Sequence, residues 1–121
     1  MKVAYLFVSN PRTVNPKLSG SILPQLCEGR DGIEVVGMFF FDDNLYTLRA
    51  GDPLGERVMQ AAATRHIPVF ICESCALDRK LAAPNGEHIH TVGLVDGLHV
   101  SNYPDPFTAL SGCRPDSIIT I

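Results

Sequence analysis

The sequence predicts a single α/β domain, a three-layer α/β/α arrangement built on an open, mostly parallel sheet of about five strands. Apolar runs at Val3 to Val8, Ile33 to Phe41 and Pro68 to Ile71 are typical of strands that are buried on both faces. Stretches with helical spacing separate these runs, and strands that alternate with helices form parallel sheets. The chain has 121 residues, enough to bury a core without disulfides or metals, and we expect residues 1–121 to form one domain.

Two segments of different character separate the first two strands. Ser9 to Pro16 contains two prolines and two asparagines and is expected to be a loop. Lys17 to Glu28 has a weak helical pattern, with Leu18, Ile22 and Leu26 on one face. Pro24 should kink or shorten this helix because proline lacks the backbone N–H.

A stronger helix signal follows the second strand. The segment from Asp42 to Gly51 is polar, and Asp52 and Pro53 then suit the N-cap and the first helical position. The helical spacing continues to about His66.

The third strand leads directly into Cys72 and Cys75 and then into the helix-forming stretch from Ala76 to Leu81. These cysteines therefore lie at a strand-to-helix junction. The region from Ala82 to Gly97 has no clear pattern beyond a turn. The expected elements of this last part are a turn at Pro84 to Gly86, a strand or loop at His88 to Val92, a strand at Leu98 to Val100, a short helix at Pro106 to Leu110 stopped by Gly112, and a final strand at Ser117 to Ile121.

The composition limits the class of partner. Ten Lys and Arg stand against 13 Asp and Glu, for a net charge of -3, and the basic residues are scattered. No stripe could neutralise a phosphate backbone, so no nucleic acid partner is expected. Apolar residues make up 45% of the chain, which suggests that another subunit covers part of the surface and predicts an oligomer.

Targeting signals and common catalytic motifs are absent from the sequence. The first apolar run is too short for a signal peptide or a membrane span, so we expect a cytosolic protein with no membrane partner. In that compartment the four cysteines should be reduced thiols. No G-x-G-x-x-G, P-loop or G-x-S-x-G motif occurs, which disfavours dinucleotide binding, nucleotide hydrolysis and serine hydrolysis. No cofactor is expected.

Cys72 and Cys75 are the candidate catalytic residues. Ligands gather at the carboxyl ends of strands in an open parallel sheet, and Cys72 falls at such an end. Free N–H groups and the positive end of a helix dipole lower the pKa of a thiol in the first helical turn, and both cysteines qualify. Their spacing places both sulfurs on one helix face, which permits a disulfide or a persulfide passed between them.

The remaining histidines and cysteines are weaker candidates for a functional site. His88 and His90 follow the cysteines with part of a zinc-finger spacing, although one residue between the histidines is fewer than a finger requires. Cys27 and Cys113 are expected to have packing or surface roles. His99 could reach the site from a neighbouring strand, although a histidine in an apolar context is more often a structural group.

Three blocks of the sequence together resemble the DsrE family of small sulfur-relay proteins. They are Val35 to Tyr46, Pro68 to Arg79, in which Cys72 matches the family's reactive cysteine, and Leu110 to Ile119. The nearest resemblance within the family is to a SaoD-like subgroup. The resemblance implies a cysteine that accepts sulfur as a persulfide, donor and acceptor proteins as partners, and homotrimers or homohexamers. The chain departs from the family pattern at Cys75, where many relatives have a small apolar residue.

The leading interpretation is a cytosolic sulfur carrier and possible sulfurtransferase. Cys72 is its acceptor thiolate, Cys75 stabilises or resolves the persulfide, and Arg79 and His99 are candidate substrate-binding residues. One alternative is a module that binds a soft metal through Cys72 and Cys75 with a nearby histidine. The other is a structural subunit of a sulfur-metabolism complex, in which Cys72 would be buried and unreactive.

Overall fold

A computed structural model describes residues 1–29 and 32–121. A sheet of five strands lies at the centre, with every neighbouring pair parallel. A separate antiparallel hairpin of two strands lies outside this sheet. In chain order the strands are β1 (Lys2–Phe7), β2 (Glu34–Phe40), β3 (Val69–Cys72), β4 (Ala82–Asn85), β5 (His88–Thr91), β6 (His99–Ser101) and β7 (Ser117–Thr120).

The five-stranded sheet has the order β6-β3-β2-β1-β7, so β3 lies between β2 and the edge strand β6. Short helices connect the strands. They are α1 (Pro11–Lys17), α2 (Leu23–Glu28), α3 (Pro53–Arg65), α4 (Glu73–Asp78) and α5 (Pro106–Ser111), together with a π-helical turn at Leu18–Ile22 and a 3-10 helix at Asp42–Leu48.

The two faces of the sheet are covered unequally. On one face, side chains such as Phe7 and Phe40 pack in a large core with residues of α1, α2, α3 and α4. On the other face, Ala4, Leu6 and Phe39 pack against Ala109 and Leu110 of α5. This arrangement confirms the predicted three-layer α/β/α class with a parallel sheet of five strands.

The prediction of a loop from Ser9 to Pro16 is wrong, because α1 begins at Pro11. The Asn10 side chain caps this helix and accepts a hydrogen bond from the N–H of Thr13 at 3.0 Å. Asn10 and Pro11 therefore form the N-cap and first-position pair that the loop-like composition concealed.

Pro24 does not shorten the helix that follows, which continues to Glu28, but a π-helical turn lies directly before it. The segment is divided into the π-helical turn Leu18–Ile22 and α2, with Pro24 in the first turn of α2. No non-helical residue separates the π-helical turn from α2, since Ile22 and Leu23 both have right-handed helical backbone angles. The N–H of Leu23 bonds to the carbonyl of Leu18, five residues back.

The prediction for α3 is confirmed at both ends. The Asp52 carboxylate accepts hydrogen bonds from the N–H groups of Leu54 and Gly55 at 3.0 and 3.3 Å, and the helix ends at His66, which has a left-handed φ of 56°. The polar segment in front of it forms the 3-10 helix, which α3 approaches closely. A Cβ added at Gly55 would lie 2.3 Å from the carbonyl oxygen of Thr47.

The region without a clear sequence pattern forms the β4–β5 hairpin. The expected turn at Pro84 to Gly86 lies two residues too early, because Pro84 and Asn85 pair with Ile89 and His88 and the turn is at Gly86 and Glu87. The expected strand at Leu98 to Val100 is present one residue later, as β6. Among the described residues, no helix combines the length and the apolar character that crossing a membrane requires.

Candidate functional site

Cys72 is both the last residue of β3 and the N-cap of α4. Its Sγ accepts a hydrogen bond from the backbone N–H of Cys75 at 3.4 Å and lies 3.3 Å from the Ser74 hydroxyl. The cysteine is half-buried, with access to solvent. The capping position thus gives a solvent-accessible sulfur a backbone donor that stabilises negative charge on it.

Cys75 lies one turn further along and is only 5% exposed. Burial is the main reason why its pKa is raised from 9.0 to about 12, and hydrogen bonding to Cys72 adds to the effect. The sequence led us to expect a lowered pKa for both thiols of the first turn. The structure reverses that expectation for Cys75, which is a protonated thiol at neutral pH.

A carboxylate that the sequence reasoning missed contacts Cys75. The Cys75 thiol donates a hydrogen bond to Oδ1 of Asp42, with 3.6 Å between the two atoms. Asp42 lies two residues after the last residue of β2 and has a positive φ of 54° where the chain turns into the 3-10 helix. Since β2 and β3 are parallel neighbours, their carboxyl ends meet at this edge of the sheet.

Arg79 lies close to the two thiols, but its charge is already paired. Its Nε and Nη2 each lie 2.9 Å from Oδ1 of Asp43, and its Nη2 is 3.7 Å from Oδ1 of Asp42. Its Nη1 donates to the carbonyl of Cys75 at 3.1 Å. The hydrogen bond to Asp43 is the main reason why the pKa of Arg79 is raised. Arg79 therefore holds the 3-10 helix against α4 and is not a free cation at the site.

Strand β6 contributes the other side of the site. Ser101 lies opposite Cys72 in the β3–β6 ladder, and its buried hydroxyl has no hydrogen-bond partner in the described part of the chain. His99 lies opposite Phe70, with 5.4 Å between the ring centroids, and is exposed. His99 is thus on the neighbouring strand, as predicted, but two residues before the position that faces Cys72.

The remaining candidate residues lie elsewhere. His88 and His90 are exposed on β5, and residues 1–29 and 32–121 contain no group of three or more His, Cys, Asp and Glu side chains placed to hold a metal. Cys27 is exposed on α2. Cys113 follows α5, and burial raises its pKa.

The positions of Asp42, Asp43 and Ser101 could have been found from the sequence. Each follows a predicted strand within three residues, at the edge where ligands gather in parallel sheets.

Comparisons with known proteins support the fold. No family model matches the chain, and no curated protein matches it. Among solved structures, the chain is similar to the YchN protein from E. coli, with 14% identity, a TM-score of 0.67 and coverage of 100% of this chain and 99% of the other.

Two structures described as proteins of unknown function are also similar. MTH1491 from Methanobacterium thermoautotrophicum has 11% identity, a TM-score of 0.64 and coverage of 99% and 97% of the two chains. BT1422 from Bacteroides thetaiotaomicron has 14% identity, a TM-score of 0.62 and coverage of 99% and 94%. Together these likenesses support the α/β fold with a five-stranded parallel sheet that the sequence predicts.

Proposed function

We propose that the protein is a sulfur carrier, which accepts sulfur on Cys72 as a persulfide and passes it to a partner protein. The observation that carries the proposal is the position of Cys72, a solvent-accessible sulfur at a helix N-cap, with the Cys75 N–H directed at it. A backbone donor at this distance stabilises both the attacking thiolate and the persulfide anion.

The transfer is redox-neutral and needs only the two sulfur partners. The Cys72 thiolate attacks the terminal sulfur of a donor persulfide, a new S–S bond forms at Cys72, and the donor leaves as a thiolate. An acceptor thiolate later attacks the outer sulfur on Cys72, and Cys72 then leaves as a thiolate in turn.

The properties of Cys75 bear on how long the persulfide lasts. If the Cys75 thiolate attacked the inner sulfur, a Cys72–Cys75 disulfide would form and hydrosulfide would leave, so the sulfur would be lost. Since the pKa of Cys75 is raised to about 12, this attack is suppressed at neutral pH. In this proposal the Cys75 thiol therefore does not resolve the persulfide at neutral pH, and the backbone N–H of Cys75, which bonds to Sγ of Cys72, stabilises it.

The Ser101 hydroxyl gives the added sulfur a donor. It is buried beside Cys72, and no described residue accepts its hydrogen bond. A buried hydroxyl without a partner is costly, and a sulfur atom added at Cys72 would supply an acceptor.

The alternatives receive less support from the geometry. Among the described residues, no histidine joins Cys72 and Cys75 in a metal-binding group. In a purely structural subunit Cys72 would be buried and unreactive, whereas Cys72 is half-buried with access to solvent. Donor and acceptor proteins, a homotrimer or homohexamer and a cytosolic location complete the proposal.

The test is mass spectrometry of the protein after incubation with inorganic polysulfide. We expect one added sulfur atom on Cys72, removed by dithiothreitol. Cys72→Ser should abolish the addition, and Cys75→Ser should leave it in place. Cys27→Ser is the matched control, because Cys27 is exposed and outside the site. Normal loading of the Cys72→Ser protein would refute the proposal.

A further inference from the structure

A cleft of about 370 Å³ lies between α2 and α3, and none of its lining residues belongs to the sulfur site. Leu23 and Leu26 of α2 and Ala61 of α3 give it an apolar surface. Its volume suits a small organic molecule, since ligand pockets begin at roughly 300 Å³.

Two arginines of α3 give the cleft a positive charge. Arg57, Ala61 and Arg65 are each four residues apart, so all three lie along one helix face with the small Ala61 in the middle. The α-carbons of the two arginines are separated by about 12 Å along the helix. The two long side chains can close this distance by extending toward each other.

These guanidinium groups have no carboxylate partner among residues 1–29 and 32–121. Arg65 donates through Nη2 to the carbonyl of Cys27 at 3.2 Å, at the end of α2. Arg57 makes no hydrogen bond or ion pair with any residue in those ranges. In a chain of net charge -3, two guanidinium groups without carboxylates beside an apolar surface form a local site for an anion.

We propose that this cleft binds a small organic anion with an apolar chain, of the medium-chain carboxylate class. Arg57 and Arg65 hold the carboxylate, and Leu23, Leu26 and Ala61 cover the chain. Binding should need both the apolar chain and the carboxylate of the ligand. Burial of the chain and charge-assisted hydrogen bonds to the carboxylate each contribute to the affinity.

The exposed thiol of Cys27 also lines the cleft and serves as a reporter of occupancy. The experiment measures the rate at which iodoacetamide alkylates Cys27 of the full chain, with increasing octanoate, octylammonium or acetate. We expect octanoate to slow the alkylation of Cys27 and to leave that of Cys113 unchanged. Octylammonium lacks the negative charge and acetate lacks the chain, so neither should protect Cys27 at the same concentration.

A variant pair tests the arginine. Arg57→Gln should weaken protection by octanoate about tenfold, as expected for the loss of a charge-assisted hydrogen bond. Arg12→Gln, at an exposed position of α1 outside the cleft, should leave protection unchanged. The inference would be overturned if octanoate gave no protection, if octylammonium protected equally, or if both variants behaved like the unchanged protein. Persulfide loading of Cys72 is independent of each outcome.

Discussion

The Cys75 thiol donates a hydrogen bond to the Asp42 carboxylate, with 3.6 Å between Sγ and Oδ1. This contact joins the first turn of α4 to the end of β2. Burial is the main reason why the pKa of Cys75 is raised, and the negative charge of Asp42 also favours the protonated form, whereas the backbone of Asp42 acts in the opposite direction. The two cysteines of the motif are therefore chemically distinct, although they lie only three residues apart.

We predict that iodoacetamide labels Cys72 before Cys75 at neutral pH. Only the thiolate reacts, and the pKa of Cys75 is raised to about 12. The protonated form is therefore dominant below that pH, and the rate at Cys75 should rise about tenfold per pH unit from neutral pH to about pH 11. Peptide mass spectrometry at each pH gives both rates.

The matched variant for this prediction is Asp42→Asn. It removes a negative charge that raises the pKa of Cys75, so labelling of Cys75 should reach its plateau at a lower pH. The shift should be modest, because burial is the larger cause and remains. A plateau below about pH 10 in the unchanged protein would contradict the raised pKa.

The sequence predicted the sheet well because its signals are local. A strand buried on both faces needs a continuous apolar run, and β1, β2 and β3 each have one. It failed at α1, where the cap from Asn10 to Thr13 matters more than composition. The sequence left β5 open as a strand or a loop, and it did not identify β4 because Ala82–Asn85 contains proline and asparagine, which are depleted in strands.

The site was predicted only in part, for a physical reason. The position of Cys72 follows from the order of strand and helix, which the sequence contains. The pKa of Cys75 depends on burial and on Asp42, which is 33 residues away along the chain. The pairing of Arg79 with Asp43 depends in the same way on how α4 packs against the 3-10 helix.

We predict that Arg79→Gln slows loading by anionic polysulfide. The substitution leaves the carboxylates of Asp42 and Asp43 without their cation, so a negative donor approaches a more negative surface. The effect should be a few-fold at low salt and smaller at high salt, because both carboxylates are about half exposed and are screened. Loading rates at two salt concentrations provide the measurement.

Arg79→Lys serves as the control, since it keeps the charge but loses the forked geometry. It should load faster than Arg79→Gln at low salt. Equal rates for all three proteins at low salt would show that Arg79 has no electrostatic role in loading.

We predict a trimer or hexamer in solution, formed through the face that carries α5. This helix alone covers that face in the described ranges. Phe107 of α5 is 53% exposed, and Tyr103, three residues before the helix begins, is 57% exposed. Large exposed aromatic side chains on one surface are typical of subunit contacts. Light scattering at micromolar concentration should give the higher mass.

Phe107→Glu should shift the protein toward the monomer, because it places a charge in that contact. Val92→Glu is the matched control, at an exposed apolar position outside α5. A monomeric unchanged protein would rule out the assembly, and an equal effect of both variants would rule out the α5 face.

We predict that Ser101→Ala shortens the lifetime of the persulfide on Cys72 without lowering the free energy of unfolding. The Ser101 hydroxyl is buried without a partner in the described part of the chain, so its removal should leave the free energy of unfolding unchanged or raise it by up to about 1 kcal/mol. The persulfide on Cys72 would lose a hydrogen-bond donor, and its lifetime should fall about 2- to 10-fold. Urea denaturation and timed mass spectrometry of loaded protein measure the two effects.

Ser111→Ala gives the comparison for this last prediction, since the Ser111 hydroxyl is exposed and bonds to the carbonyl of Thr108 at 2.6 Å. That variant should leave the persulfide lifetime unchanged. A lower free energy of unfolding in Ser101→Ala would mean that its hydroxyl already has a partner. An unchanged lifetime would mean that the hydroxyl does not reach the added sulfur, so that Cys72 would depend for stabilisation on the N–H of Cys75.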